Sequence, residues 1–135
     1  MYQTEEKIRV RYSETDKMGY CYYGNYAAYF EVARVEALRK LGISYRKMED
    51  DGILLPVVSF TINYKAPAYY DDEVVIKTQI RTMPTAKIVF NYDSYVGDKL
   101  INQAETTLVF LDAEKNKPVL APDYITNSLK PYLSN

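Results

Sequence analysis

Asp16 stands in the run Arg11-Tyr12-Ser13-Glu14-Thr15-Asp16-Lys17-Met18-Gly19, a few residues upstream of Asn25, where a helical pattern begins. A carboxylate so placed faces the unpaired N–H groups that open a helix. Those donors can polarise a carbonyl while the carboxylate activates a water or attacks directly, and acyl transfer needs little else. The chain has no histidine, so Ser-His-Asp and Cys-His nucleophile systems are excluded and any catalysis runs on carboxylates, hydroxyls, backbone dipoles and cations. The same absence removes the commonest nitrogen ligand of zinc and transition metals, and no metal site is expected. Such sparse machinery suits a leaving group that departs without being protonated. A thiolate, whose parent thiol has a pKa of ~8.5, meets that condition better than an amine or an alkoxide.

Composition narrows the partners. The balance of 17 basic and 18 acidic residues is nearly neutral and carries no block of like charge, so neither a nucleic-acid footprint nor a polybasic membrane patch is written in it. Cys21 is the lone cysteine; it can form no internal disulfide, and with no secretory pattern at the N-terminus a cytoplasmic location is expected. Its place in the aromatic turn suits a small buried filler better than a reactive thiolate. No apolar run approaches the ~20 residues of a membrane span. Tyrosine is abundant, with 15 residues and no tryptophan, and five of them fall at 20, 22, 23, 26 and 29. They supply packing area with a polar tip, an aromatic wall around an acyl pocket, or both.

The elements that must hold Asp16 follow from periodicity. Residues 5 to 12 alternate, with Ile8, Val10 and Tyr12 opposed to Lys7, Arg9 and Arg11, the period of a half-exposed strand. Asn25 is positioned as an N-cap for a helix from Tyr26 to Leu41, with Tyr26, Phe30, Ala33, Ala37 and Leu41 on the apolar face. Glu31, Arg34, Glu36 and Arg39 are left to face water or a partner, and Gly42 closes the helix as a left-handed cap. After a polar turn over 44–52 the period becomes two: Val58, Phe60, Ile62 and Tyr64 oppose Ser59, Thr61, Asn63 and Lys65, until Pro67. Further strands are expected over 73–81, 87–95 and 101–111, joined by short turns that imply antiparallel neighbours in a meander, with a short terminal helix over 124–133.

The 135 residues fit a single domain, 1–135, of the α+β class, with the helix covering one face of the sheet. One helix cannot cover five strands. The uncovered surface and free edge call for a homo-oligomer in which two sheets join or pack.

The stretch Arg9 to Tyr26, with Phe30, Glu31 and Arg34 on the helix, resembles the hotdog-fold acyl-CoA thioesterases of the 4-hydroxybenzoyl-CoA thioesterase and YbgC-like group. Tyr64-Lys65-Ala66-Pro67-Ala68 and Asp71-Asp72 extend the resemblance to residues 5–111. It implies a five-stranded antiparallel sheet wrapped around one long central helix, dimerising through the sheets, with dimers pairing into a homotetramer. It implies that Asp16 is the catalytic carboxylate, as general base or nucleophile, and that the backbone N–H of Tyr23 polarises the thioester carbonyl. YbgC-like members often carry histidine where this chain has Tyr23, so the role assigned to Tyr23 rests on its backbone.

Around these two residues, Gly19, Tyr22, Asn25, Tyr26, Ser59 and Thr61 are candidate substrate contacts, and Lys65, Arg81 and Lys87 are candidate cations for the phosphates of coenzyme A. The expected activity is hydrolysis of an acyl or aroyl thioester to the free acid and coenzyme A, with no cofactor because coenzyme A is part of the substrate. The alternative is a noncatalytic hotdog module that binds acyl-CoA or acyl carrier protein.

Overall fold

The computed structural model describes residues 1–133. In chain order it contains β1 (Tyr2–Arg9), a 3-10 turn (Tyr12–Glu14), α1 (Asn25–Arg39), α2 (Tyr45–Asp50), β2 (Ile53–Leu54), β3 (Val57–Tyr64), β4 (Glu73–Ile80), β5 (Lys87–Val96), β6 (Lys99–Val109), β7 (Leu111–Asp112), β8 (Lys117–Pro118) and α3 (Asp123–Leu129). Five long strands form one antiparallel sheet in the order β1-β4-β5-β6-β3. A small second sheet joins β2, β7 and β8. The class is α+β, the five-stranded sheet carrying α1 on one face.

Alternation does what the sequence requires in the central strands. Ile88, Phe90 and Tyr92 of β5 and Ala104, Thr106 and Leu108 of β6 turn to the helix side and are buried, while Asn91, Asp93, Gln103 and Glu105 take the other face. On α1 the buried residues are Tyr26, Tyr29, Phe30, Ala33, Arg34, Ala37 and Leu38. Phe30 stacks on Tyr92 with ring centroids 4.4 Å apart. Ala33 and Ala37, both fully buried, let the helix lie close to the sheet.

The helix ends in a Schellman motif: the amide of Gly42 donates to Arg39 O at 2.9 Å and that of Ile43 to Leu38 O at 3.0 Å. Gly42 holds φ at +83° and nothing lies within 4 Å of where a Cβ would go. A Gly42→Ala change therefore tests backbone conformation alone, and we expect a loss of about 1 kcal/mol in denaturant unfolding.

Four expectations need correction. The first strand begins at Tyr2 and ends at Arg9, and Tyr12, expected on a buried face, opens the 3-10 turn and is 77% exposed. The register from Tyr2↔Ile80 to Arg9↔Glu73 on β4 sets those limits. Asn25 is not a side-chain cap: Gly24 occupies that position, and the Asn25 amide group is drawn instead to a carbonyl of the preceding loop. Arg34 faces the core rather than water. Finally, the strands do not form a meander, because β3 pairs with β6 and lies at the sheet edge three positions from β4.

That crossover matters most for function. Moving from β3 to β4 requires about 14 Å across the sheet, which residues 65–72 cover easily at ~3.3 Å each. The connection is fastened on the way: Lys65 and Ala66 amides donate to Ile101 O, the Cys21 amide to Ala68 O, the Val10 amide to Asp72 O, and the Asp71 amide to Val10 O. The segment thereby runs alongside the Asp16 loop.

Helix α1 runs closest to β1 and β4 and reaches β3 at the far edge only through Tyr26 and Phe30, so β3 is partly covered. Val57, Val58, Phe60 and Tyr64 of β3 are 46%, 56%, 39% and 48% exposed. Among the described residues, no helix is long and apolar enough to cross a membrane.

Candidate active site

The loop carrying Asp16 is tied into a tight turn by its own backbone. The Gly19 amide donates to Asp16 O at 2.9 Å and the Asp16 amide to Tyr20 O at 2.9 Å; Gly19 meets the turn with φ +84°. Asp16 Oδ1 accepts from the Met18 amide at 2.9 Å, and its other carboxylate oxygen accepts no hydrogen bond from the described residues. The carboxylate is thus oriented through one oxygen and available through the second.

Asp16 and Tyr23 line one cleft of about 380 Å³, together with Tyr20, Cys21, Tyr26 and Tyr64, and it is closed by Lys65, Ala66 and Pro67 from the crossover. Tyr23 and Gly24 immediately precede the first helical residue, and their amides donate to no backbone acceptor among the described residues outside the helix and strand ladders. The cleft is therefore lined by a half-buried carboxylate, by Tyr23 just before the start of α1, where the helix carries roughly half a positive charge, by aromatic walls and by one cation, Lys65. Such a set can hold a polarised carbonyl beside an oxygen base or nucleophile.

Tyrosine rings build the walls. Tyr26 meets Tyr29 at 5.6 Å and Tyr64 at 5.9 Å between centroids, and the Tyr64 hydroxyl donates to Tyr23 O at 3.4 Å. Burial pushes the Tyr26 and Tyr29 phenols well above the ordinary value of 10.0, and also raises the Cys21 thiol. These groups stay neutral near pH 7. Cys21 is 5% exposed, a buried thiol held against the Tyr29 hydroxyl at 3.5 Å.

Glu14 escaped sequence reasoning, although it clamps the site together. Its Oε1 accepts from the Arg11 amide at 2.9 Å and the Tyr29 hydroxyl at 2.8 Å, and its Oε2 from Arg11 Nη2 at 2.8 Å. Its carbonyl accepts from the Tyr22 amide at 2.8 Å and from Asn25 Nδ2 at 2.7 Å. One residue thus fastens the loop before Asp16 to the start and first turn of α1. The Arg11-x-x-Glu14 spacing was the available signal, but the link to Tyr29 spans 15 residues.

The Arg11 hydrogen bond, reinforced by Tyr29 and opposed by burial, lowers the Glu14 carboxyl from 4.5 to about 2. A carboxyl depressed in the folded state contributes stability that is complete above about 4.5 and is lost as pH falls through about 2. Glu14→Gln is expected to melt ~4 °C below the parent at pH 7. The gap should close progressively below pH 4.5, read by thermal denaturation of both proteins across that range.

The remaining candidates fall in four places. Tyr22 lies outside the cleft, its ring 4.8 Å from that of Tyr23 and close over Gly24, where an added Cβ would meet it at 2.7 Å. Gly19 and Asn25 shape the loop and its attachment. Ser59 and Thr61 point to the face opposite Phe60, and Thr61 shares a polar hollow with Arg81, Asn63 and Asp93 on the sheet face away from α1. Lys87 is exposed at the start of β5, opposite Val109. In the single chain, then, the structure brings Asp16, Tyr23, Tyr26 and Lys65 together, and leaves Ser59, Thr61, Arg81 and Lys87 apart from them.

Comparison with known proteins adds a family. The model of the thioesterase-like superfamily matches residues 10–129. YneP of Bacillus subtilis is 37% identical over 120 residues, covering 88% of this chain and 87% of its own. Acyl-CoA thioester hydrolase YbgC of Escherichia coli is 34% identical over 124 residues, covering 91% of this chain and 92% of its own. Among solved structures, a DHNA-CoA thioesterase from Staphylococcus aureus superposes with a TM-score of 0.89 at 35% identity, covering 98% of this chain and 89% of that one.

Proposed function

We propose a mechanism for this chain from one premise: it belongs to the thioesterase-like superfamily, with the hotdog fold. It is an acyl-CoA thioesterase, releasing a carboxylic acid and coenzyme A. The observation that supports the mechanism is that Asp16 and Tyr23 line one cleft.

The thioester carbonyl enters that cleft with its oxygen toward the amides of Tyr23 and Gly24. As the carbon becomes tetrahedral, the growing negative charge meets donors already oriented by α1, so little reorganisation accompanies the step. The free oxygen of Asp16 takes a proton from an attacking water, or itself attacks to give a mixed anhydride that water opens. In either route coenzyme A leaves as its thiolate, which needs no general acid. The absence of histidine is consistent with that economy.

One turnover in heavy-oxygen water is diagnostic in one direction: label in Asp16 marks an anhydride opened at the aspartyl carbon, whereas direct water attack and an anhydride opened at the acyl carbon both put it in the product acid.

Lys65 sits at the cleft to receive a phosphate or the pantetheine amide region of coenzyme A, and no cofactor beyond the substrate's own coenzyme A enters. The reading places the protein in the cytoplasm as one domain. Two copies join along β3, whose outer edge has no partner strand among the described residues and whose apolar residues are exposed; such dimers then pair. The test is a thiol-release assay over short, long, branched and aromatic acyl-CoAs, run beside Asp16→Asn. Saturable binding without thiol release across the panel would instead make the chain a binding module.

A further inference from the structure

Asp16 and the Tyr23 amide stand on different segments, a loop and the entry to α1, and hydrolysis between them needs a constant spacing. Residues 14–22 form a small hairpin that carries the first. The Tyr22 amide donates to Glu14 O at 2.8 Å, Thr15 bridges to Cys21, and the Asp16 amide donates to Tyr20 O at 2.9 Å. Asp16 is therefore near the tip of this hairpin, and Glu14 is at its base.

The same base aims the second group. A trans peptide is planar, so the direction of the Tyr22 carbonyl sets that of the Tyr23 N–H in the same unit. Tyr22 O accepts from the Asn25 amide at 2.9 Å, and the Asn25 side chain donates through Nδ2 to Glu14 O at 2.7 Å. The Glu14 carbonyl thus accepts from residues on either side of Tyr23. Its carboxylate then locks this base against the helix: Oε1 accepts from the hydroxyl of Tyr29, one turn into α1, at 2.8 Å, and both oxygens accept from Arg11. The Glu14 side chain is 12% exposed and does not line the Asp16 cleft, so it meets no reacting atom. Its influence on the reaction passes through Asp16 and Tyr23.

We propose that Glu14 is a positioning residue for thioester hydrolysis, fixing the distance and angle between the Asp16 carboxylate and the Tyr23 amide by tying hairpin and helix into one frame. This rests on the roles given to those two residues above. With the tie cut, the cleft still binds the thioester, but the oxygen base and the carbonyl donor no longer meet the same carbon in line, so the loss falls on kcat. Tyr29→Phe is the direct reporter, because it removes the bond from Glu14 to α1 and keeps a ring beside Tyr26.

The experiment measures thiol release by Tyr29→Phe, Glu14→Met and the double variant on the acyl-CoA that the parent turns over fastest, well below each melting temperature and with circular dichroism checking the fold. In each single variant kcat should fall about 10- to 100-fold with KM within about twofold of the parent's. In the Glu14→Met background Tyr29→Phe should cost nothing further, since the bond is already gone. A residue serving stability alone would lower the melting temperature and leave the folded variants with the parent's kcat. That result overturns the proposal, as do a rise in KM with kcat kept and a double variant whose loss is the product of the two singles. If Glu14→Met does not fold, the kcat of Tyr29→Phe decides. None of these outcomes touches the hydrolase reading, which falls only if the parent releases no thiol across the acyl-CoA panel.

Discussion

Asp16→Asn is expected to fold as the parent does and to lose about 10²- to 10⁴-fold in kcat, the range associated with a general base or a nucleophilic carboxylate. The fold should survive because the contact that orients Asp16 is one oxygen accepting from the Met18 amide, and an asparagine Oδ1 can accept the same bond. The remaining ties of the loop are made by backbone groups. What the amide cannot do is take a proton near neutral pH or attack as an anion. A fall in kcat with KM nearly unchanged would locate the defect in the chemical step. Parent-like turnover in a folded Asp16→Asn protein would remove Asp16 from the mechanism, leaving the cleft as a binding site.

Val58→Lys should turn the proposed homo-oligomer into single chains. Val58 is 56% exposed, and β3 is hydrogen-bonded to β6 along one edge only, so the residue lies on the surface proposed to meet a second copy. In a two-fold interface each substitution counts twice. Losing two buried valines costs roughly 3 kcal/mol, and placing two ammonium groups in an apolar contact adds to it, so self-association weakens by ~10²-fold or more. Lysine on a sheet edge is also the device by which soluble proteins prevent edge pairing. The measurement is solution mass, with the variant moving to the 15.7 kDa of one chain while circular dichroism keeps the parent's shape. A variant with the parent's mass would place the interface elsewhere.

Of the two, the first probes a local arrangement that was legible in the sequence and the second a surface that was only partly so. The Asp16 loop, the long helix and its Gly42 closure come from residues close in sequence, because capping, turn chemistry and the 3.6-residue period all act within a turn or two. The strands were legible for the same reason, as alternation is a property of each strand by itself.

Where the chain departs from those expectations, a distant partner decided. Asn25 has the chemistry of a cap, but it stands one residue inside, as the first helical residue after Gly24, with its Nδ2 donating to Glu14 O at 2.7 Å. Arg34 looks like a solvent-facing charge on a helix until Tyr92 and Tyr45 close around it. The pairing of β3 with β6 could not be read from turn lengths, since the eight residues that follow Tyr64 suit a loose hairpin as well as a crossing to a distant strand.

The amino-acid order by itself determined that a carboxylate would precede a helix start in an aromatic setting, and that no imidazole could assist it. Only tertiary structure decided that Lys65, Ala66 and Pro67 would line the cleft with Asp16 and that the apolar residues of β3 would stay partly exposed. The reason is one of range: propensity, capping and periodicity are settled within a few residues. Strand order, the burial of a charge and the walls of a cavity depend on which distant segments pack together, and that is chosen by the energy of the whole core.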